Sequence, residues 1–105
     1  IEHDQIDNEQ KAKLFFVLGY LQNIKQDYQA AISSFDKALE FKPDKHEAWN
    51  NRGISLHNLG RYEEAIAYYD KALEFKPDGH DAWNNRGISL HNLGRYEEAI
   101  ASYDK

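Results

Sequence analysis

Among side chains able to ligate, attack or move protons, the 105-residue chain carries five histidines and eighteen Asp and Glu, and no cysteine. His57 and His91 stand in identical wording 34 residues apart, so stacking of their flanking segments would bring two imidazoles together. Two imidazoles fall short of the three or four ligands that zinc takes, no His-Glu-x-x-His helix occurs, and a cysteine-free chain has neither thiolate ligands nor disulfides. We therefore expect no metal site and no cofactor. Paired carboxylates occur at Glu63-Glu64 and Glu97-Glu98. By type they could serve as general acid and base, but each pair opens a helix, where negative charge meets the positive end of the macrodipole. No residue is assigned a catalytic role, and the chain reads as non-enzymatic. More informative are the amides Asn50, Asn51 and Asn58, repeated as Asn84, Asn85 and Asn92. Each carries both donor and acceptor, so a ladder of them can pair with the backbone of an extended peptide.

The elements that must position these residues follow from repetition. AWNNRGISLHNLGRYEEAIA occurs at 48–67 and again at 82–101, and DKALEFKPD at 36–44 and 70–78. A fixed period of this size marks a stacked array in which each unit needs a neighbour to bury its faces. In register, residues 1–11 form an extension or the start of the first helix, followed by units 12–45, 46–79 and 80–105, the last stopping inside its second helix. Within a unit the apolar spacing is helical twice: Trp49, Gly53 and Leu56, then Tyr62, Ala65, Ile66, Tyr69, Ala72 and Leu73. Gly60 closes the first helix and Pro77 follows the second. Asp44 with Glu47, and Asp78 with Asp81, read as start signals for the next helix. Gly53, Ala65 and Ala72 let two helices approach closely, and Trp49 and Tyr69 fill the space around them. In the first unit Gln26 replaces the turn glycine, which leaves the tightness of that turn open.

These residues resemble the tetratricopeptide repeat signature: Trp49, Gly53, Tyr62, Ala65, Tyr69, Ala72 and Pro77 in the second unit, Trp83, Gly87, Tyr96 and Ala99 in the third. The first unit holds Phe15, Gly19, Tyr28, Ala31, Phe35, Ala38 and Pro43 at the same places. The wording around NNRGISLHNLGRYEEAIA resembles bacterial arrays, cyanobacterial ones in particular. The resemblance implies an all-α fold, a right-handed superhelical stack of antiparallel helix pairs, whose first helices line a concave groove for a protein or peptide partner. Groove candidates are Asn50, Asn51, Ile54, His57 and Asn58 with Asn84, Asn85, Ile88, His91 and Asn92. Asn51 and Asn85 also resemble the asparagine ladder of the transferase that places N-acetylglucosamine on Ser and Thr, which concerns the mode of peptide binding and not the chemistry. Modules that grip acidic chaperone tails resemble one another in carrying Lys and Asn on the first groove helix, Asn on the second and two basic residues on the third; those places hold Phe16 and Tyr20, then Asn51, then Asp81 and Asn85 here, so only Asn51 fits that use.

Arg52 and Arg86 stand where the family usually has an apolar residue. Pairing Arg52 with Asp36 and Arg86 with Asp70 uses both internal Asp and predicts inter-repeat ion pairs that fix the stacking register. Thirteen Lys and Arg against eighteen acids give a net charge of -5, which repels phosphate backbones and anionic lipid. Nucleic acid and membrane partners are excluded on that ground, and no apolar run reaches the roughly 20 residues of a membrane span. The chain is expected to be an excised piece of a longer soluble, cytoplasmic protein. Its function reads as a protein-binding scaffold. The alternatives are a self-assembling segment that forms homo-oligomers end to end through the uncapped face of the last unit, with Ile100 and Tyr103, and a regulatory array of a larger multidomain protein.

Overall fold

A computed structural model describes residues 7–105. Six helices follow one another: α1 (Asn8–Ile24), α2 (Tyr28–Phe41), α3 (His46–Asn58), α4 (Tyr62–Phe75), α5 (His80–Asn92) and α6 (Tyr96–Tyr103). No strand occurs among the described residues. The helices pair as α1 with α2, α3 with α4 and α5 with α6, and each second helix packs on the first helix of the next pair. The resulting all-α stack measures 56 × 27 × 16 Å.

Glycine sets the spacing of each pair. A methyl group on Gly53 would lie 2.5 Å from the ring of Tyr69, and one on Gly19 or Gly87 would lie 2.7 Å from Phe35 or 2.5 Å from Tyr103. The ring therefore rests directly on helix backbone. Phe35 and Tyr69 are fully buried there, with Ala31, Ala38, Ala65 and Ala72 beside them. Trp49 packs against the clusters that contain Ala38 and Ala72. It stacks on Tyr68 at 5.6 Å, and its indole N–H donates to the Pro43 carbonyl at 2.7 Å. Trp83 makes the same bond to Pro77 at 2.8 Å. Each tryptophan thus ties the turn between repeats to the helix that follows.

The helix ends divide the expectations. Gly60 and Gly94 sit at φ 79°, the left-handed conformation that glycine adopts without strain. Gln26 takes the same conformation, φ 65°, and the Asp27 amide donates to the Gln22 carbonyl at 2.9 Å as Arg61 does to Leu56. The first turn is therefore as tight as the others. The start signals at Asp44 and Asp78 are not caps: the cap residues are Lys45 and Gly79, without a side-chain cap bond. Both aspartates fall one residue too early, although Glu47 and Asp81 do stand in the first turn. A capping box forms instead at α1, where the Asp7 carboxylate accepts from the Gln10 amide at 2.8 Å and Gln10 Oε1 accepts from the Asp7 amide. That helix begins four residues before the boundary at 12 and is one turn longer than α3 or α5.

Two substitutions check this account by urea unfolding. Gly53→Ala should lose roughly 1–3 kcal/mol, because Tyr69 has nowhere to retreat. Gln26→Gly should gain on the order of 1 kcal/mol by relieving a left-handed non-glycine residue. Neutral results at both positions would contradict the assigned turn and contact.

Candidate functional site

Helices α1, α3 and α5 lie side by side, and their shared face carries recessed surface. One depression, about 370 Å³, is lined by Phe16 of α1, by His46, Glu47, Asn50 and Asn51 of α3, by Lys76 and Asp78 of the α4–α5 turn, and by His80 and Asp81 of α5. An equivalent depression one repeat on, about 340 Å³, runs beside Asp81 and Asn84 and ends against Ser102 and Lys105. A smaller one of about 130 Å³ is framed by Ile54, His57, Asn58, Asn85 and Ile88. The amides are partly used among themselves. Asn85 Nδ2 donates to Asn50 Oδ1 at 3.2 Å across the repeat boundary, and Asn51 Nδ2 donates to the Glu47 carbonyl of its own helix at 2.8 Å. What this depression offers a ligand is the ring of Phe16, over which the Lys45 ammonium lies at 5.0 Å, amide groups, and the carboxylates of Glu47, Asp78 and Asp81 beside Lys76. Lys76 and Asp78 come from the connecting turn, and helical periodicity alone gave no reason to include them. No cluster of three or more metal-ligating side chains occurs among the described residues.

Polar joints hold successive first helices. His57 Nδ1 lies 2.8 Å from Ser89 Oγ, while Asn92 Nδ2 faces Nε2 at 3.4 Å. That arrangement makes Nε2 the acceptor and places the proton on Nδ1, toward Ser89. The ring also packs edgewise on Tyr62 at 4.9 Å. One repeat earlier Asn23 takes the place of His57, its Oδ1 accepting from Ser55 Oγ at 2.6 Å. In the last repeat His91 packs on Tyr96 at 5.3 Å. Between second and first helices, Arg52 Nε donates to Asp36 Oδ1 at 2.6 Å and Arg86 Nε to Asp70 Oδ1 at 2.7 Å. Arg52 also lies over the Tyr68 ring at 4.1 Å. Arg86, which meets Ser102 where Arg52 meets Tyr68, donates to that hydroxyl at 2.6 Å.

Helix pairs of fixed period, a ring seated on glycine in each, and a tryptophan tied to the turn proline are joined by direct family matches. Models of the tetratricopeptide repeat match residues 46–78 and 68–101, and a further model of the same repeat matches 19–60. The chain belongs to the tetratricopeptide repeat family. A curated relative, an uncharacterised protein of Methanocaldococcus jannaschii, is 44% identical over 56 residues, 53% of this chain and 65% of its own length. Among solved structures, MamA superposes with a TM-score of 0.86 at 23% identity, covering 93% of this chain and 57% of MamA. The TPR2B domain of yeast Sti1, in a complex with pHsp70, gives 0.87 at 24% identity over 90% of this chain and 75% of that one. The first TPR of Spaghetti (RPAP3), bound to the HSP90 peptide SRMEEVD, gives 0.88 at 23% identity over 91% and 76%. The chain thus spans less than two thirds of the archaeal relative and of MamA.

In this tetratricopeptide array the environment of His57 carries a pH consequence. Burial lowers its pKa from the ordinary 6.5, so the unfolded chain takes up the proton more readily than the folded one. The stability this neutral ring contributes is complete above the unfolded value and falls as pH drops through 6.5 toward the lowered folded value. Between about pH 7.5 and about pH 5.5 the wild type should lose more unfolding free energy than His57→Asn, which carries the residue of the first joint. Equal losses in the two proteins would remove His57 from the joint.

Proposed function

We propose that this array is a protein-interaction scaffold that holds an extended peptide against the shared face of α1, α3 and α5. The observation that carries the reading is the recessed surface around Phe16, Asn50, Asn51 and Asp81, where a phenyl ring and amide groups converge. Amides suit backbone recognition, and an extended strand would satisfy them in a sequence-tolerant way. Two of the similar solved structures hold chaperone peptides, which supports peptide binding on this fold. The chemistry of those peptides does not carry over. SRMEEVD carries three acidic side chains, whereas the depression beside Phe16 brings Glu47, Asp78 and Asp81 together with Lys76. The preferred ligand is therefore neutral or cationic. Two further parts of the reading concern the array itself. The Arg52–Asp36 and Arg86–Asp70 pairs fix the stacking register, and the chain performs no chemistry of its own.

Charge reversal tests the proposal. Fluorescein-labelled SRMEEVD should show little binding to the wild type, and Glu47→Lys with Asp81→Lys should tighten it on the order of tenfold. A capture experiment with the wild type and with Asn50→Lys, Asn84→Lys as baits reads the native ligand. Partners held by the first and lost by the second support the face as the binding surface, and retention by both would place binding elsewhere.

A further inference from the structure

One row of the shared face stays apolar through the array. Tyr20, Ile54 and Ile88 hold the same place in α1, α3 and α5. Tyr20 is 50% exposed and Ile88 38%, and Ile54 remains half-buried with a repeat on either side of it. Between the two isoleucines lies the depression of about 130 Å³, which Tyr69 and Asn85 also line. It is a recess for a side chain and not for a helix. The two flanks of the row differ in charge. Toward the helix starts stand the exposed Glu47 and Asp81, with Asp78 and Lys76 of the turn, while Lys45 stays over the Phe16 ring at 5.0 Å. In α1 their place is held by Lys13, so the acidic flank belongs to α3 and α5. Toward the helix ends stand Asn58 and the pair of His57 with Asn92.

The spacing of the row selects a backbone. Helices α3 and α5 touch through His57 with Ser89 and Asn50 with Asn85, and helices in contact lie about 8–10 Å apart. A chain crossing them must offer side chains to the row at that interval. A β-strand places same-face side chains two residues apart, about 6.6 Å, or four apart, about 13 Å, and misses it both ways. A polyproline II chain has three residues per turn and a rise of about 3.1 Å, so every third side chain falls on one face at about 9.3 Å. Its backbone makes no internal hydrogen bonds, which leaves each carbonyl free to accept. Asn50 accepts through Oδ1 from Asn85, and its own N–H groups can donate to such a carbonyl. Seated on the apolar row, the chain turns its second face to Glu47 and Asp81 and its third to His57 and Asn58.

We infer that the ligand of this face is a polyproline II segment with an aliphatic residue at every third position and a Lys or Arg between them. The aliphatic side chains lie on Tyr20, Ile54 and Ile88, and the cations on Glu47 and Asp81. This rule rests on peptide binding at the shared face. Fluorescence anisotropy with fluorescein-labelled LKSLKSLKS, and with LKLKLSKSS, which has the same composition but leucine at every second place, tests it. The first peptide should bind on the order of tenfold tighter than the second. Ile88→Gln should abolish that difference with helical circular dichroism unchanged, and Glu47→Lys with Asp81→Lys should weaken the first peptide. If Ile88→Gln loses helicity, Tyr20→Gln reads the same row from its exposed ring. Equal binding of the two peptides, or a preference that survives the substitutions in the row, overturns the inference and leaves a scaffold of another specificity. Binding of neither peptide overturns it as well. Captured partners that Asn50→Lys with Asn84→Lys loses would then still uphold the scaffold, and their absence would remove both.

Discussion

Ring on glycine is the contact from which the rest of this structure follows. At Gly19, Gly53 and Gly87 the second helix comes so near that its aromatic ring touches the first helix's backbone, and this proximity leaves only alanine room at the neighbouring positions. It also aims the ring. Tyr69 passes beside Gly53 and carries its hydroxyl to Ser89 in the next repeat, and burial pushes that phenol well above its usual range. A single side chain thereby fixes both the pair and the stack. Phe35 at the first repeat has no hydroxyl to extend, and there the corresponding inter-repeat bond is made instead by Asn23 to Ser55.

This division explains why the two joints are built differently from almost the same wording. Between the first and second repeats, Arg52 is held by Asp36 and roofed by Tyr68. Between the second and third, Arg86 has Asp70 and the smaller Ser102. Half-exposed carboxylates pair weakly with cations in water, so the guanidinium matters here as a planar group that bridges two repeats at fixed distances. A lysine would supply charge without that plane.

Much of this was legible in the sequence because helix pairing depends on spacing, and spacing survives in letters. The period of 34, the two helices per unit and the turn at Gly60 follow from where Trp49, Gly53, Tyr69 and Pro77 stand. What spacing could not carry were features decided by neighbours. Gln26 gives no local sign that it will adopt φ 65°; packing of α1 on α2 imposes the turn, and a glutamine accepts the strain. Asp44 and Asp78 match a capping pattern, yet the chain leaves the proline turn one residue later than that pattern requires. His57 belongs to a list of surface polar residues until the next repeat is laid over it, and only then do Ser89 and Asn92 occupy its two nitrogens. The face of the first helices was legible as a set of residues. Its recess was not, since Lys76 and Asp78 reach it from a turn that helical periodicity leaves out.

The electrostatics of that face and the apolarity of α1 express one constraint. An array buries its second helices between first helices, so charge and ligand chemistry are confined to the sides left uncovered. Here the acids Glu47, Asp78 and Asp81 gather at the recess, where the carboxylates in the first turn are already favoured by the helix dipole. Placing cations there would oppose the same dipole, which makes an acidic recess the cheaper arrangement for this sequence. Among the described residues Leu14, Val17 and Leu21 are exposed, and α1 carries aliphatic carbon at places where α3 and α5 hold Asn, Ser and Ala against the preceding repeat. Repetition therefore fixes the interior, and the departures from it fall on exposed faces.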